Sequence, residues 1–379
     1  MSGIRAHPHF VSKGLLVVAA TGNSLHLAVE IDGAGSHPAA WREWGHAPSE
    51  VLSPKILRNL VGVAERGGFA LVTLADRIVP EDGGGPIGRL DAGTRAAYLA
   101  ATTGSVGLAP TVQTLTTEPF HLATQLASLD HGSRGRAGWV VGGDNSLEAN
   151  VAVGYNPRDV DSAPREVREV VEVARRLWDS WEDDAVVRDV ATGRYLDPDK
   201  VRHVRFSGEF FSVVGPLITP RPPQGQVVVL GDTDLGISDL LDVALVSGPD
   251  VAAIEAVARA QGTPLTFAEI DVVFDSDADT AQSRLARLDA HTEWVETGHL
   301  RFVGSPAQFV DVLRSLAGIV DGVRLHPAVA TTDLTVFVDK VLPVLADSGV
   351  HHAPRPGSTL RETLGLARPV NRYATATSN

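Results

Sequence analysis

The residues of this sequence best placed to do chemistry are polar side chains at the ends of short apolar runs: Thr21, Asp76, Thr114, Thr116, Asp144, Asp232, Thr233, Asp275 and His326. The set is mostly acidic and holds no obvious nucleophile. Asp76, closing Leu74-Ala75-Asp76, reads as a base, as a grip on a hydroxyl, or as a loop-start Asp that accepts backbone N–H bonds. His326, before Pro327, reads as an acid or base, or as a packed and hydrogen-bonded histidine. Gly231-Asp232-Thr233-Asp234-Leu235-Gly236 could cradle a phosphate on backbone N–H groups at a helix start. Two carboxylates beside a phosphate dianion repel it, and a tight turn with Asp as N-cap is the competing reading. His37, Trp41 and Trp44 fall in a Gly/Pro/His/Trp-rich stretch, where the tryptophans suit a pocket for an apolar substrate. Trp178 and Trp181, three apart on one helical face, suit packing.

Several chemistries are excluded. The chain has no cysteine, so disulfides, zinc thiolates and a thiol nucleophile are ruled out. Its thirteen histidines form no HExxH or local facial triad, and no metal site is expected. GxSxG, GxxxxGK[ST] and a GxGxxG after a strand are all missing. A net charge of −13 without a basic run argues against nucleic acid. No apolar segment is long enough to span a membrane, and the N-terminal apolar stretch reads as a first strand. A cytoplasmic protein is expected.

These residues need a scaffold that brings strand ends together. Val- and Leu-rich runs at residues 15–20, 69–74, 106–111, 137–142, 227–230, 243–246, 267–274 and 322–325 read as strands buried on both faces. Helical segments at 54–66, 118–129, 164–181, 251–261, 280–297, 306–317 and 334–347 alternate with them. The count predicts an α/β fold, a (β/α)8 TIM barrel, with a doubly wound sheet as the alternative. A single barrel domain over 1–379 is expected, with rim insertions at about 24–53 and 183–224. The tail 351–379 is expected to wrap the surface or reach a neighbouring subunit.

The run from Glu118 to Trp139, a helix ending Leu-Asp-His-Gly and a Gly/Arg turn into a strand, resembles flavin-dependent monooxygenases of the bacterial luciferase type. The similarity is to the nitrilotriacetate and dibenzothiophene-sulfone monooxygenase branch. Other blocks resemble it in the same order: Ser36-His37-Pro38-Ala39-Ala40-Trp41-Arg42, Ala64-Glu65-Arg66-Gly67-Gly68-Phe69, Leu177-Trp178-Asp179-Ser180-Trp181-Glu182-Asp183 and Asp197-Pro198-Asp199-Lys200-Val201. Gly215-Pro216-Leu217, Pro223-Gln224-Gly225, Thr359-Leu360-Arg361-Glu362 and Pro369-Val370-Asn371-Arg372 complete the series.

The resemblance implies a luciferase-like barrel that takes reduced FMN from a separate NAD(P)H:flavin reductase and uses O2 to oxygenate a small organic substrate. It implies a homodimer, or a heteromer with a family member. It places Asp76, Thr114 and Asn150 at the flavin ring, Gly231 and Thr233 near its phosphate, and His37 and Trp41 toward substrate. It assigns no catalytic proton-transfer residue. The same comparison marks departures. The family's TTYxEPY is Thr114-Leu115-Thr116-Thr117-Glu118-Pro119-Phe120, and its WNVVTS is Trp139-Val140-Val141-Gly142-Gly143-Asp144. Pro164 stands where a tyrosine is usual, and QAGxSxxG has become Leu230-Gly231-Asp232-Thr233-Asp234-Leu235-Gly236. Losing several hydrogen-bond partners at about 1–3 kcal/mol each could abolish FMN affinity. The alternative expectation is therefore a non-catalytic or partner-subunit paralogue that has lost FMN.

Overall fold

A computed structural model describes residues 24–79, 88–351 and 353–374. Eight parallel strands run in chain order around a closed barrel: β1 (His26–Ile31), β2 (Leu71–Leu74), β3 (Gly107–Gln113), β4 (Gly138–Gly142), β5 (Val228–Asp232), β6 (Val243–Val246), β7 (Leu265–Phe274) and β8 (Gly322–Pro327). β8 pairs with β1 to close the ring. The expected (β/α)8 barrel is thus the fold, and the doubly wound alternative is set aside.

Burial on both faces explains the apolar runs. Alternate residues Ala28, Leu71, Ala109, Val140, Val228, Leu230, Val243, Leu245 and Phe267 pack in the lower lumen, while their neighbours pack outward beneath the helices. β7 is the long strand. Its first half pairs with β6 and its second half with an extra strand, Leu300–Gly304, which the sequence reading missed.

The first strand lies elsewhere than expected. Residues 15–20, and Thr21, fall outside the described residues. β1 is His26–Ile31, inside the stretch read as a rim insertion, so that insertion begins only after Ile31. Its burial pattern conceals it, because Glu30 breaks the apolar run and faces the lumen. The second expected insertion holds two short hairpins, Val186–Asp189 with Arg194–Leu196 and Phe206–Ser207 with Ser212–Val213.

Helix Pro54–Arg66 has the expected bounds. Helix Ala92–Ala100 was not anticipated, and Ala281–Asp289 is shorter than expected. The Glu118–Trp139 run works as a clamp. Glu118 accepts bonds from the Phe120 and His121 amides and starts helix Pro119–Gly132. The fully buried Asp130 accepts from the Ala137 amide (3.1 Å) and from the Gln224 side-chain amide (2.6 Å), tying β4 to the approach of β5. Burial pushes its carboxyl up to about 6, against the pull of those donors. Asp130→Ala takes the acceptor from the Ala137 and Gln224 backbone amides, while the Gln224 side chain keeps the Ala137 carbonyl, and is expected to cost on the order of 2–4 kcal/mol in urea unfolding. A loss within 0.5 kcal/mol, roughly the scatter for surface changes, would contradict this role.

The expected surface wrap holds for part of the C-terminal tail, where Arg368 meets Asp183 and Arg372 meets Glu172, but not for all of it. Helix Leu360–Thr363 plugs the barrel floor, where Leu360 and Leu364 join the lower luminal core. Arg361 is buried and grips both Asp242 oxygens, at 3.1 and 2.9 Å. The barrel bottom is therefore completed by the end of the chain.

Candidate functional site

At the C-terminal mouth of the barrel, parallel strands present every second side chain inward. Glu30 from β1, Glu269 and Asp271 from β7, and Arg324 and His326 from β8 converge there. Arg324 donates to Glu269 through Nε (2.9 Å to Oε1) and Nη2 (2.6 Å to Oε2), and reaches Glu30 through Nη1 at 3.3 Å. His326 stands between two carboxylates, Nε2 to Glu269 at 2.8 Å and Nδ1 to Glu30 at 3.2 Å. Burial opposes its charge, but Glu269 and Glu30 hold its pKa up to about 10. Burial likewise opposes the charge of Glu269, yet Arg324 and His326 hold it down to about 2. His299, ahead of the extra strand, donates or accepts through Nδ1 with Asp271 at 2.8 Å, and Arg301 backs the same carboxylate at 3.3 Å.

His326 is therefore packed and hydrogen-bonded, as one of its two readings had it, within a buried ionic network. Glu30, Glu269, Asp271, His299 and Arg324 were missed. A signal was present: Glu269/Asp271 and Arg324/His326 are charged pairs two apart inside strands otherwise apolar on both faces, a spacing that aims both side chains into the lumen.

The residues expected to hold flavin are scattered among structural tasks. Asp76 accepts from the Ala92 amide (2.7 Å) and the Arg77 amide (2.9 Å), as its loop-start reading foresaw. Thr114 is buried and its hydroxyl donates to the Gly142 carbonyl at 2.8 Å. Asn150 is fully buried, accepting from Arg158 Nη1 (2.9 Å) and donating to the Ser146 carbonyl (2.8 Å). Asp144 and Asp275 each cap a local turn.

The segment from Gly231 to Gly236 differs most from a phosphate site. Thr233–Leu235 is a single 3-10 turn, followed by Gly236 in a left-handed conformation and a second short turn, Ser238–Leu240. No α-helix stands between β5 and β6. A single turn offers neither the aligned amides nor the dipole of a helix start. Asp232 stays exposed on the rim. Crowding by the surrounding protein, opposed by Arg324 and reinforced by Glu269, Asp234 and Glu30, raises its carboxyl to about 6. Leu235 lies over Gly143, where an added Cβ would sit 2.5 Å from its Cδ2. The competing reading of this loop as a turn is the one observed, although Asp232 makes no side-chain cap bond.

His37 and Trp41 do share a cavity, of about 230 Å³, lined also by Asp32, Arg77, Arg89 and Arg95. The loop that carries them is pinned across β8. Gly35 has φ +147°, and a Cβ there would meet the Ala328 carbonyl at 2.2 Å. His37 is buried, accepts from the Ala39 amide on Nδ1 (3.0 Å) and so donates from Nε2 to Asp289 (3.0 Å). Burial lowers its pKa, against the pull of Asp289. It is a positioned neutral imidazole, while Trp41 is half-buried and forms cavity wall.

Residues 35–288 match the family described as luciferase-like monooxygenase. The chain belongs to that family. It is 31% identical to the N-acetyl-S-(2-succino)cysteine monooxygenase of Bacillus subtilis (strain 168), across 92% of this chain and 98% of that protein. It is 30% identical to nitrilotriacetate monooxygenase component A of Aminobacter aminovorans, across 90% and 96%. The crystal structure of the long-chain alkane monooxygenase LadA superposes with a TM-score of 0.79 at 22% identity, covering 90% of this chain and 95% of that one, which speaks to the fold. The resemblance read from the sequence blocks is thereby confirmed. The positions that the resemblance gives to FMN are engaged within the protein itself. The ring-side candidates Thr114 and Asn150 are spent on internal bonds, and the phosphate position has no helix start and carries two acidic residues. Among the described residues, no helix is long and apolar enough to cross a membrane.

Proposed function

We propose that this chain is a non-flavin member of the luciferase-like monooxygenase family, a barrel that binds a small organic molecule without holding FMN itself. The observation that carries the proposal is the loop between β5 and β6, where two 3-10 turns and the Asp232 and Asp234 carboxylates stand in place of a phosphate-binding helix start. The occupied hydrogen bonds of Asn150 and Thr114 support it. The rim cavity bearing His37, Trp41, Arg89 and Arg95 is the place for the organic ligand, its arginines and aromatic wall suiting an acid with an apolar part. Any flavin chemistry then belongs to a family partner in a heteromer.

A second reading has its own support, the 31% identity over 92% of the chain to a monooxygenase. In it the protein is the oxygenase of a two-component system, receiving reduced FMN from an NAD(P)H:flavin reductase. Titrating FMN while following its fluorescence separates the two. The proposal expects no saturable quenching up to about 1 mM, the level of an interaction of only ~4 kcal/mol. Co-expression with the oxygenase-like chain of the same host is expected to give a stable heteromer. A flavin-loaded homodimer overturns the proposal in favour of the second reading.

A further inference from the structure

We propose that Glu269, His299 and His326 form a binding site for a divalent first-row transition-metal ion at the barrel mouth. One ligand atom from each lies within 4.8 Å of the others. His326 Nε2 is 2.8 Å and His299 Nε2 3.8 Å from the same oxygen, Glu269 Oε2. Spacings of roughly 3 Å are what ligand atoms about 2.1 Å from a common ion require, so small side-chain shifts suffice.

What distinguishes this set from an incidental cluster is the shell behind it. Each histidine has its other ring nitrogen on a carboxylate: His299 Nδ1 on Asp271 at 2.8 Å, and His326 Nδ1 on Glu30 at 3.2 Å. With an ion in place, donation from both Nδ1 atoms fixes the tautomers and frees both Nε2 lone pairs for it, the arrangement that orients metal-ligating histidines; without one, His326 Nε2 donates to Glu269 Oε2 at 2.8 Å. Arg324 fixes both oxygens of the carboxylate, Nε on Oε1 at 2.9 Å and Nη2 on the ligating Oε2 at 2.6 Å.

Charge balance accommodates the ion. Glu30, Asp232 and Glu269 act together on the guanidinium of Arg324, while Asp271 is paired with Arg301. With an ion bound and both imidazoles neutral, three carboxylates balance one guanidinium and a dication; without the ion, His326, bonded to both Glu269 and Glu30, supplies the second positive group. A second, independent feature lies in the same layer. Thr73 is in register with Glu30 on the neighbouring strand and is fully buried, yet its hydroxyl has no protein partner. A polar group at that depth calls for a partner within the lumen, such as an ion-bound solvent oxygen.

Two imidazoles and one carboxylate select borderline first-row ions over calcium or magnesium, and three protein ligands leave positions open for solvent or a small ligand. Access exists from the His299 side, whose side chain is 19% exposed against 1% for Glu269.

The test uses the untagged full chain, stripped with a chelator and titrated with Zn(II) by calorimetry and with Co(II) by visible absorption. One equivalent is expected, with Co(II) d–d bands. His299→Ala and Glu269→Gln are expected to weaken binding at least tenfold, the lower end of what removing even a supporting partner does. His299 is partly exposed, so its variant should keep the wild-type circular dichroism and melting curve. His131→Ala, an exposed histidine bonded to the Pro220 carbonyl, is expected to bind as wild type. Absence of stoichiometric binding overturns the proposal. So does binding unchanged in both His299→Ala and Glu269→Gln, which would place the ion elsewhere on the chain. FMN plays no part in either readout.

Discussion

Arg324→Leu is expected to destabilise the fold by about 3–5 kcal/mol, because it leaves the buried Glu269 and the half-buried Glu30 without their guanidinium. Glu269 is fully buried and takes three contacts within 3.1 Å from Arg324. Desolvating a carboxylate is tolerable only while that partner is present. The companion variant makes the argument specific. Glu269→Leu combined with Arg324→Leu removes both charges and restores apolar lumen, so the pair should recover much of the loss, with a coupling on the order of 1–3 kcal/mol. Urea midpoints at constant slope measure both. A single-variant loss below 1 kcal/mol, or strict additivity, would show that solvent already stabilises these groups.

Deleting residues 356–379 should be more severe. Leu360 and Leu364 fill the barrel floor, and Arg361 binds both oxygens of Asp242. Burying each leucine contributes about 1.5–3 kcal/mol, before counting the loss of the ion pair. The total approaches the whole stability of an ordinary domain. The expected outcome is no soluble folded protein, with Leu360→Ala alone costing about 2–5 kcal/mol. A truncated chain that melts within a few degrees of the parent would return the tail to the surface role that its Pro- and Arg-rich composition suggested.

Sequence and structure agree where burial is uniform. β6 and helix Pro54–Arg66 were placed to the residue, since continuous apolar runs and a Pro start with a Gly-Gly end are local signals. β1 was misplaced because Glu30, the residue that makes it interesting, interrupts its apolar pattern. Leu360 and Leu364 looked like tail residues, because nothing local says that a four-residue helix will meet a barrel assembled hundreds of residues earlier. The flavin positions behave differently. Their replacement was readable in Val140, Gly143, Asp144, Asp232 and Asp234, because a resemblance supplied the expected residues. What filled the mouth was legible only as the charged pairs Glu269/Asp271 and Arg324/His326 within their strands, since Glu30 and His299 come from distant parts of the chain. Only the barrel's register brings them together.

Under the proposed function the barrel keeps the family's architecture and has lost its hold on FMN. The resemblance implies the reduced cofactor, so the decisive measurement is an anaerobic titration of the full chain with photoreduced FMN, followed by absorbance and by filtration of bound from free. No saturable binding up to about 1 mM is predicted, a level at which any remaining interaction is worth no more than ~4 kcal/mol. Stoichiometric binding in the micromolar range, near ~8 kcal/mol, would contradict the account and restore the chain to the working oxygenases of its family.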